Sequence, residues 1–225
     1  MTTFGYGNLA FSYLPLNRLQ DIRATIATQA TKLESPELHV LMYSIAFLED
    51  DARGMAQQAD WSKDKNGVED ILLYLEADTA AFFGKLGKAR QFSRQAVDSA
   101  ERGNERETAG GYEAEAALRE ALFGNLAEAR KRVSAALGLS TGRDVRYATA
   151  IALAVAGDSR QAQKIADDLN KDFPESTTAQ FNYLPTIRAL LALNHNDFPK
   201  PVEALQTAAP YELGTPAFAA FSPVL

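Results

Sequence analysis

The sequence predicts an all-α fold, a right-handed superhelical solenoid of about six helical hairpins, and three observations lead to this prediction. Apolar and small residues recur at helical spacing, as in residues 113–139, where two helical runs join at Gly124. A turn residue recurs along the chain at intervals close to 34 residues. Seven residues before five of these six turns stands an alanine, at the point where paired helices would cross.

The turn residues give each hairpin its position. Gly124 ends one helix because glycine adopts a left-handed conformation without a Cβ penalty, and Ala129, five residues later, allows the next helix to approach closely. Successive turns are separated by 33, 34, 40, 33 and 39 residues, so two repeats carry insertions of about six residues. The same five-residue spacing recurs in these pairs: Asn17 and Ile22, Asp50 and Met55, Gly84 and Ala89, Gly157 and Ala162, Asn196 and Pro201.

These hairpins are predicted to form one repeat domain over residues 1–208, with turns near 17, 50, 84, 124, 157 and 196. The polar joints at 62–67 and 101–107 are too short to divide the chain, and each hairpin needs a neighbour to bury its second face. Residues 209–225 are expected to be an irregular tail or the start of a truncated further repeat, so we expect the chain to belong to a longer protein. The helices are predicted at 4–16, 18–32, 36–49, 52–62, 67–83, 86–102, 105–123, 126–138, 143–156, 159–172, 176–195 and 199–208.

Composition excludes several classes of function. The net charge of −6 opposes binding to nucleic acid and to anionic lipid. No apolar run approaches the roughly 18 to 20 residues needed to cross a bilayer, so we expect a soluble segment without direct membrane insertion. Cysteine is absent, which excludes disulfides and thiolate sites and leaves the compartment open between the cytoplasm and an extracytoplasmic part of a membrane-tethered protein.

Short motifs indicate which repeat this is. Tyr6, Leu9, Ala10 and Tyr13 follow the spacing of the W-x2-L-G-x2-Y pattern, and Pro174 ends the fifth hairpin where that pattern has a proline. The chain therefore resembles the tetratricopeptide repeat (TPR) family over nearly its whole length. The run GVEDILLYLEADTAAFFGKLGKARQFSRQAV, followed by AEAALREALFGNLAEAR, GRDV, FNYLPTIRALLALN and AAPYELG, is similar to the carboxy-terminal TPR region of bacterial, chiefly acidobacterial, serine/threonine protein kinases and related TPR regulators.

The resemblance implies a non-catalytic protein–protein interaction or scaffold module, the TPR part of a larger signalling protein such as a serine/threonine kinase. It transfers no catalytic residue, because the sequence has no Gly-rich phosphate loop and no HRD catalytic loop. His39 and His195 have no nearby group in sequence that would make either a general base, and acid pairs at turns and helix starts are typical of solvated caps. We expect no enzyme activity, cofactor or metal site in this segment. The alternative function is a ligand- or peptide-sensing regulatory domain of a transcriptional regulator.

Charge alternates between the two helices of the third hairpin and, more weakly, of the fourth, where Arg119 and Glu128 oppose the pattern. In TPR proteins the first helices line the concave surface, so the resemblance implies an acidic inner groove and a basic back. A basic or basic-aromatic protein segment, or the basic back of another copy, would suit this groove. The alternative is that these charges pair between neighbouring helices. The first helices carry Glu69, Asp70, Glu76, Asp78, Glu113, Glu115 and Glu120, and the following turns and helices carry Lys85, Lys88, Arg90, Arg94, Arg130, Lys131 and Arg132.

Candidate partner-binding residues lie on the predicted concave faces of the first helices. Clefts of this family that capture a terminal carboxylate present Lys, Asn and Arg there, whereas this sequence offers Arg188 as nearly the only base, so a carboxylate clamp is not expected. Tyr and Asn are adaptable contact groups, although large aromatic residues in repeats also serve for packing. The candidates are Tyr74, Asp78, Glu115, Tyr147, Asn182, Tyr183 and Arg188.

Overall fold

The computed structural model describes residues 3–14, 16–27 and 35–211, and this part of the chain is all-helical and contains no strand. The all-α prediction is therefore confirmed. The chain divides into two compact units, Met1–Gly103 and Asn104–Leu225, which we call unit 1 and unit 2. A 3₁₀ turn occupies Ala209–Tyr211, and the rest of the predicted tail, residues 212–225, lies outside the described residues.

Unit 1 contains three pairs of antiparallel helices in its described residues. Each helix packs against its pair partner, and the first helix of the second pair also contacts the first helices of the other two pairs. Ile22, Leu41 and Ile45 form one apolar cluster, and Tyr43 and Leu72 form another. The helices are α1 (Thr3–Tyr13), α2 (Leu19–Ala27), α3 (Pro36–Leu48), α4 (Ala52–Ser62), α5 (Glu69–Phe82) and α6 (Leu86–Arg102).

Unit 2 contains three further pairs, and within it the first helices of successive pairs again pack on each other. Its largest apolar cluster includes Leu153, Leu169, Leu184 and Ile187, which are 0% or 1% exposed. The described helices are α7 (Arg106–Leu122), α8 (Leu126–Leu139), α9 (Arg143–Val155), α10 (Ser159–Asp172), a π-helical segment (Ala179–Tyr183), α11 (Leu184–Asn194) and α12 (Pro199–Gln206).

All six predicted turn residues share one backbone geometry. In every turn the N–H of the next residue donates to the C=O that lies four residues before the turn residue, at 2.8 to 3.1 Å. This bond closes the carboxyl end of the first helix and requires a residue with positive φ, a conformation that Gly adopts freely and Asn and Asp tolerate. The φ angles are 53° at Asn17, 56° at Asp50, 70° at Gly84, 78° at Gly124, 77° at Gly157 and 57° at Asn196.

The predicted helix-crossing positions, seven residues before each turn residue, are all buried. Small side chains at these positions let the paired helices approach closely, and Tyr43 is the single large residue among them. Its hydroxyl donates to Thr79 Oγ1 at 3.0 Å, which satisfies the polar end of an otherwise buried ring. The six residues are Ala10, Tyr43, Ala77, Ala117, Ala150 and Ala189, and their exposure ranges from 0% to 5%.

A polar contact also recurs at one position of the hairpin. His39 Nδ1 lies 2.7 Å from Gln58 Oε1 in the second pair, and Arg132 Nη1 donates to Glu113 Oε2 at 3.0 Å in the fourth. Both contacts join residues that are 19 apart and that stand at equal distances from their turn residues. The two hairpins therefore have the same side-by-side alignment of helices.

The first helix of the sixth pair differs from the continuous helix expected over 176–195. A π-helical segment at Ala179–Tyr183 precedes α11, and Pro185 is buried in the first turn of α11. Proline has no N–H to donate to the C=O of Phe181, and its ring crowds that carbonyl in regular α-geometry. Widening the helix by one residue removes this conflict.

Candidate functional site

A groove in unit 1 lies between α4 and α6 and has α5 as its floor; we call it the α4–α6 groove. Its cavity volume is about 550 Å³. Ala59, Leu73 and Phe92 supply apolar surface, and Gln91 and Gln95 project from α6. The charged lining is predominantly acidic and comprises Asp60, Asp64, Glu69, Glu76 and Asp98 with Lys63 and Arg102.

Most of the opposite charges in this groove already satisfy each other. Glu69 Oε2 accepts hydrogen bonds from Ser99 Oγ at 2.9 Å and Arg102 Nη2 at 3.1 Å, which hold α5 against α6. Lys63 Nζ donates to Asp60 Oδ1 at 2.6 Å on the surface. Both cations of the groove are therefore already paired with an acid.

Glu76 differs both from the paired Glu69 and from the exposed acids of the α4–α6 groove. It is half-buried in the middle of α5, and it makes no hydrogen bond or ion pair with any residue that the structure describes. Burial raises the pKa of Glu76 above its ordinary value, and the ammonium of Lys63 opposes this shift only in part. The site therefore holds a carboxylate that a cationic ligand could stabilise.

Two other grooves have the same construction, with a residue eight positions before the turn residue at the floor. Met42 of α3 lines a groove of about 280 Å³ between α2 and α4 in unit 1. Arg188 of α11 lines a groove of about 570 Å³ between α10 and α12 in unit 2, which we call the α10–α12 groove. Glu76 occupies the equivalent position in the third pair, so the residue at the floor is neutral, acidic or basic according to the pair.

Of the candidate residues on the predicted concave faces, two lie in unit 1. Tyr74 and Asp78 are both half-buried on α5. Asp78 is two residues from Glu76 and therefore points to a different side of the helix. Asp78 does not line the α4–α6 groove. Partner binding by Tyr74 and Asp78 remains a prediction.

Tyr147 and Tyr183 pack together inside unit 2. Their rings stack in parallel with centroids 3.8 Å apart, and the residues are 5% and 2% exposed. Tyr183 Oη donates to Asp144 Oδ1 at 2.8 Å, and Arg143 Nε donates to the same oxygen at 2.8 Å. Burial raises the pKa of both tyrosines, and in Tyr183 the hydrogen bond to Asp144 adds to this effect. The sequence left open whether these aromatic residues serve packing or partner contact, and in the structure they pack. Little of either ring is available to a partner.

The other three candidates in unit 2 have different environments. Glu115 on α7 and Asn182 in the π-helical segment are half-buried, and Asn182 Oδ1 is buried without a hydrogen-bond partner among the described residues. Arg188 is exposed and lines the α10–α12 groove. Of the seven candidates, Arg188 is the one that lines any of the three grooves described above.

The expected basic back needs a correction at Arg132. This residue is 5% exposed, and its guanidinium lies 3.0 Å from Glu113, 3.4 Å from Glu128 and 4.0 Å from Glu120. A long side chain on the second helix reaches across to α7 and is buried by the acids of that helix. Pairing between helices, the alternative in the sequence analysis, is thus observed for Glu113, Glu120 and Glu69, and Glu113 is not free to form an acidic groove.

The sequence contains the charged residues of the two grooves, but it does not show that grooves form around them. Glu76 and Arg188 were both noted as charged residues of first helices and were expected on the concave surface. Their common spacing of eight residues from the turn becomes meaningful only when three helices surround the position. Helical periodicity cannot predict which two neighbours flank one floor residue.

Comparisons of the chain with protein-family models, with curated proteins and with solved structures found no match. In the described part of the chain, no helix is both long enough and apolar enough to span a bilayer.

Proposed function

We propose that this chain is a non-catalytic protein-interaction module of TPR-like hairpins in a right-handed solenoid, and that its α4–α6 groove binds a basic side chain of a protein partner. The observation that carries the proposal is Glu76, a half-buried carboxylate without an ion-pair partner among the described residues, at the floor of an acidic groove. A cation that enters the groove would offset the cost of burying this charge.

The groove suits the whole of a lysine or arginine side chain. Leu73 and Phe92 offer apolar surface to the aliphatic stem, and the ring of Phe92 can also attract the charged head. Gln91 and Gln95 supply amide groups that hydrogen-bond a peptide backbone or a second polar side chain. Such a mixture of apolar floor and polar rim is typical of protein-recognition surfaces.

The regularity of the hairpins supports the repeat part of the proposal. Six turns share one hydrogen-bond pattern and six crossing positions are buried, as expected when one structural unit is repeated. Repeats of this kind form extended surfaces that bind proteins. The resemblance to the repeat regions of bacterial serine/threonine kinases extends the proposal to a larger signalling protein that contains this module.

Fluorescence anisotropy with the full chain and two labelled octapeptides tests the partner class. An alternating Lys-Tyr peptide should bind saturably, whereas an alternating Glu-Tyr peptide should not. The affinity for the basic peptide should fall as ionic strength rises, because exposed charges are screened over about 8 Å at physiological salt. Equal affinity for both peptides would contradict a charge-selective groove.

Three substitutions locate the binding surface. Glu76→Gln should weaken binding of the Lys-Tyr peptide about fivefold to tenfold, since it removes the unpaired carboxylate. Glu101→Gln, which removes an exposed acid of α6 outside the groove, should change the affinity less than twofold or so. Asp78→Asn tests the first-helix surface expected from the sequence, and a loss confined to this variant would move the site away from the α4–α6 groove.

Small-angle X-ray scattering tests the solenoid separately. A solenoid of about six hairpins should give an extended distance distribution. A radius of gyration near the compact-globule value of about 17 Å for 225 residues would contradict it.

The alternative function, a ligand-sensing regulatory domain, is favoured by one observation, the basic α10–α12 groove. Thermal-shift measurements against metabolite and peptide libraries separate the two functions. A scaffold should be stabilised by its protein partner alone, and a sensor should be stabilised by a small ligand.

A further inference from the structure

The α10–α12 groove of unit 2 contains two arginines whose charge is not used within the described structure. Arg160 in the first turn of α10 and Arg188 on α11 both line the groove, and neither forms an ion pair or hydrogen bond with any described residue. Lys200 and Asp197 also line it, but they pair with each other. The groove is therefore lined by two guanidinium groups and by the imidazole of His195.

The frame of this groove is held by the end of α11. Asn194 Nδ2 donates to the C=O of Ala154 at 2.7 Å and to Ser159 Oγ at 3.2 Å, which ties α11 to the turn between α9 and α10. Leu191 is 5% exposed and forms an apolar floor. The backbones that carry the two arginines are thus fixed relative to each other before any ligand binds.

We propose that the α10–α12 groove binds the dianion of a phosphate monoester. A guanidinium group binds carboxylate or phosphate oxygens in pairs, through two parallel N–H donors. One carboxylate would neutralise one arginine, whereas a phosphate monoester carries a charge of about −1.5 to −2 at neutral pH and three acceptor oxygens, which match two arginines. The phosphates of a nucleic acid do not fit this inference, because the chain has a net charge of −6.

The equivalent grooves of the other pairs support a specific role for Arg188. The same position, eight residues before the turn, is occupied by Glu76 in the acidic α4–α6 groove and by Met42 in the groove between α2 and α4. The proposed phosphate site goes beyond the peptide-binding function of the α4–α6 groove. The two sites lie in different units and can fail independently.

Isothermal titration calorimetry with the full chain tests the site with two phosphate probes, O-phosphoserine and a phosphoserine heptapeptide, each beside its unphosphorylated counterpart. Both phosphate probes should bind saturably, and serine and the serine peptide should not. Tighter binding of the peptide would assign the site to a phosphorylated protein side chain, and equal binding would assign it to a small phosphate ester. Absence of saturable binding by both phosphate probes would overturn the proposal.

Two double variants with the same change in net charge show whether the arginines act specifically. Arg160→Gln with Arg188→Gln should weaken phosphate binding at least about tenfold. Lys164→Gln with Lys171→Gln removes two exposed cations of α10 outside the groove and should weaken it less than about twofold. Equal losses in both variants would reduce the binding to diffuse charge and overturn the assignment. The single variant Arg188→Gln, with thermal melting monitored by circular dichroism, provides the same comparison if the double variant fails to fold.

Discussion

Arg132 and Glu113 form an ion pair between α8 and α7 in which both side chains are removed from solvent. The nitrogen and oxygen are 3.0 Å apart, and the side chains are 7% and 14% exposed. Glu128 and Glu120 lie within 4.0 Å of the same guanidinium, and Asn125 donates to Glu120 at 3.0 Å. One buried cation therefore neutralises three carboxylates. The stability of this ion network depends on Arg132 more than on any single acid.

The first prediction follows from this imbalance. Arg132→Met should lower the free energy of unfolding by about 3 to 5 kcal/mol, because it leaves buried carboxylates without their cation. Glu113→Gln should cost less, since Arg132 keeps two other acids. Urea denaturation of unit 2 in the full chain, followed by circular dichroism, measures both values.

Lys131→Met is the matched control for Arg132→Met. The Lys131 side chain is 78% exposed and lies 3.8 Å from Glu128, so its loss should change stability by no more than about 0.5 kcal/mol. If Lys131→Met lowered the free energy of unfolding as much as Arg132→Met, removal of any positive charge would destabilise α8. The buried ion network would then not be the cause of the loss.

The second prediction tests the alignment of α7 with α8. Ala117 is fully buried in the largest apolar cluster of unit 2, and Ala117→Phe should cost about 1 to 3 kcal/mol or more because the ring must displace packed side chains. The same substitution at exposed Ala127, in the first turn of α8, should be nearly silent. Thermal melts of the two variants that coincide with the wild type would refute this packing. Glu128, which is half-buried, is unsuitable as a control because it lies 3.4 Å from Arg132.

Local chemistry explains why the helices and turns could be predicted. Gly84, Gly124 and Gly157 are unambiguous helix ends, and Asn17 and Asn196 belong to the few residue types that tolerate positive φ. Each of these signals acts within about five residues of chain, so it is visible in the sequence. The π-helical segment also has a local cause, Pro185. A proline inside a helical pattern can end, kink or widen the helix, however, and the sequence does not show which of these occurs.

Side-chain destinations were much less predictable. Arg132 was expected on the basic back because it stands on the second helix of its pair, yet its long side chain reaches the acids of the neighbouring helix. Tyr147 and Tyr183 lie 36 residues apart, and only the packing of α9 against the first helix of the next pair brings their rings into contact. Such positions depend on contacts between helices, and helical periodicity carries no information about them.

The third prediction concerns alkaline pH. Burial raises the pKa of Tyr43 from 10.0 to about 12, and the hydrogen bond to Thr79 opposes this shift. A raised pKa in the folded state means that the stabilisation is complete below about pH 10 and is lost as pH rises towards 12. Tyr43→Phe should cost about 1 kcal/mol at neutral pH through the lost hydrogen bond, and its difference from the wild type should shrink above pH 10 or so.

Denaturant unfolding of both proteins between about pH 8 and pH 11.5 measures this trend. Tyr211→Phe, at an exposed position, is the control and should differ from the wild type by a constant amount. A Tyr43→Phe difference that stays constant or grows with pH would contradict the burial of an un-ionised phenol at this position.

The last prediction links the stability of unit 1 to its proposed ligand. Glu76 is half-buried, and its pKa is raised mainly by burial. The sign follows from linkage: a carboxylate with a raised folded-state pKa favours the native state when it is protonated, and the chain loses this contribution as pH rises through the folded-state pKa. Glu76→Gln, which cannot ionise, should therefore be more stable than the wild type at neutral pH. Its advantage should disappear below the ordinary glutamate pKa of 4.5.

Thermal melts from neutral pH down to about pH 4 test this, with Glu101→Gln on exposed α6 as the control that should show no pH-dependent difference. The Lys-Tyr peptide of the binding experiment should reverse the order at neutral pH, since a bound cation stabilises ionised Glu76 in the wild type and has no carboxylate to pair with in the variant. Stability and binding thus favour different residues at position 76. The free chain is more stable with Gln, and the ligand binds more tightly to Glu. A variant that is less stable than the wild type without peptide would show that Glu76 has a structural partner, and the α4–α6 groove would then lose its reason to attract a cation.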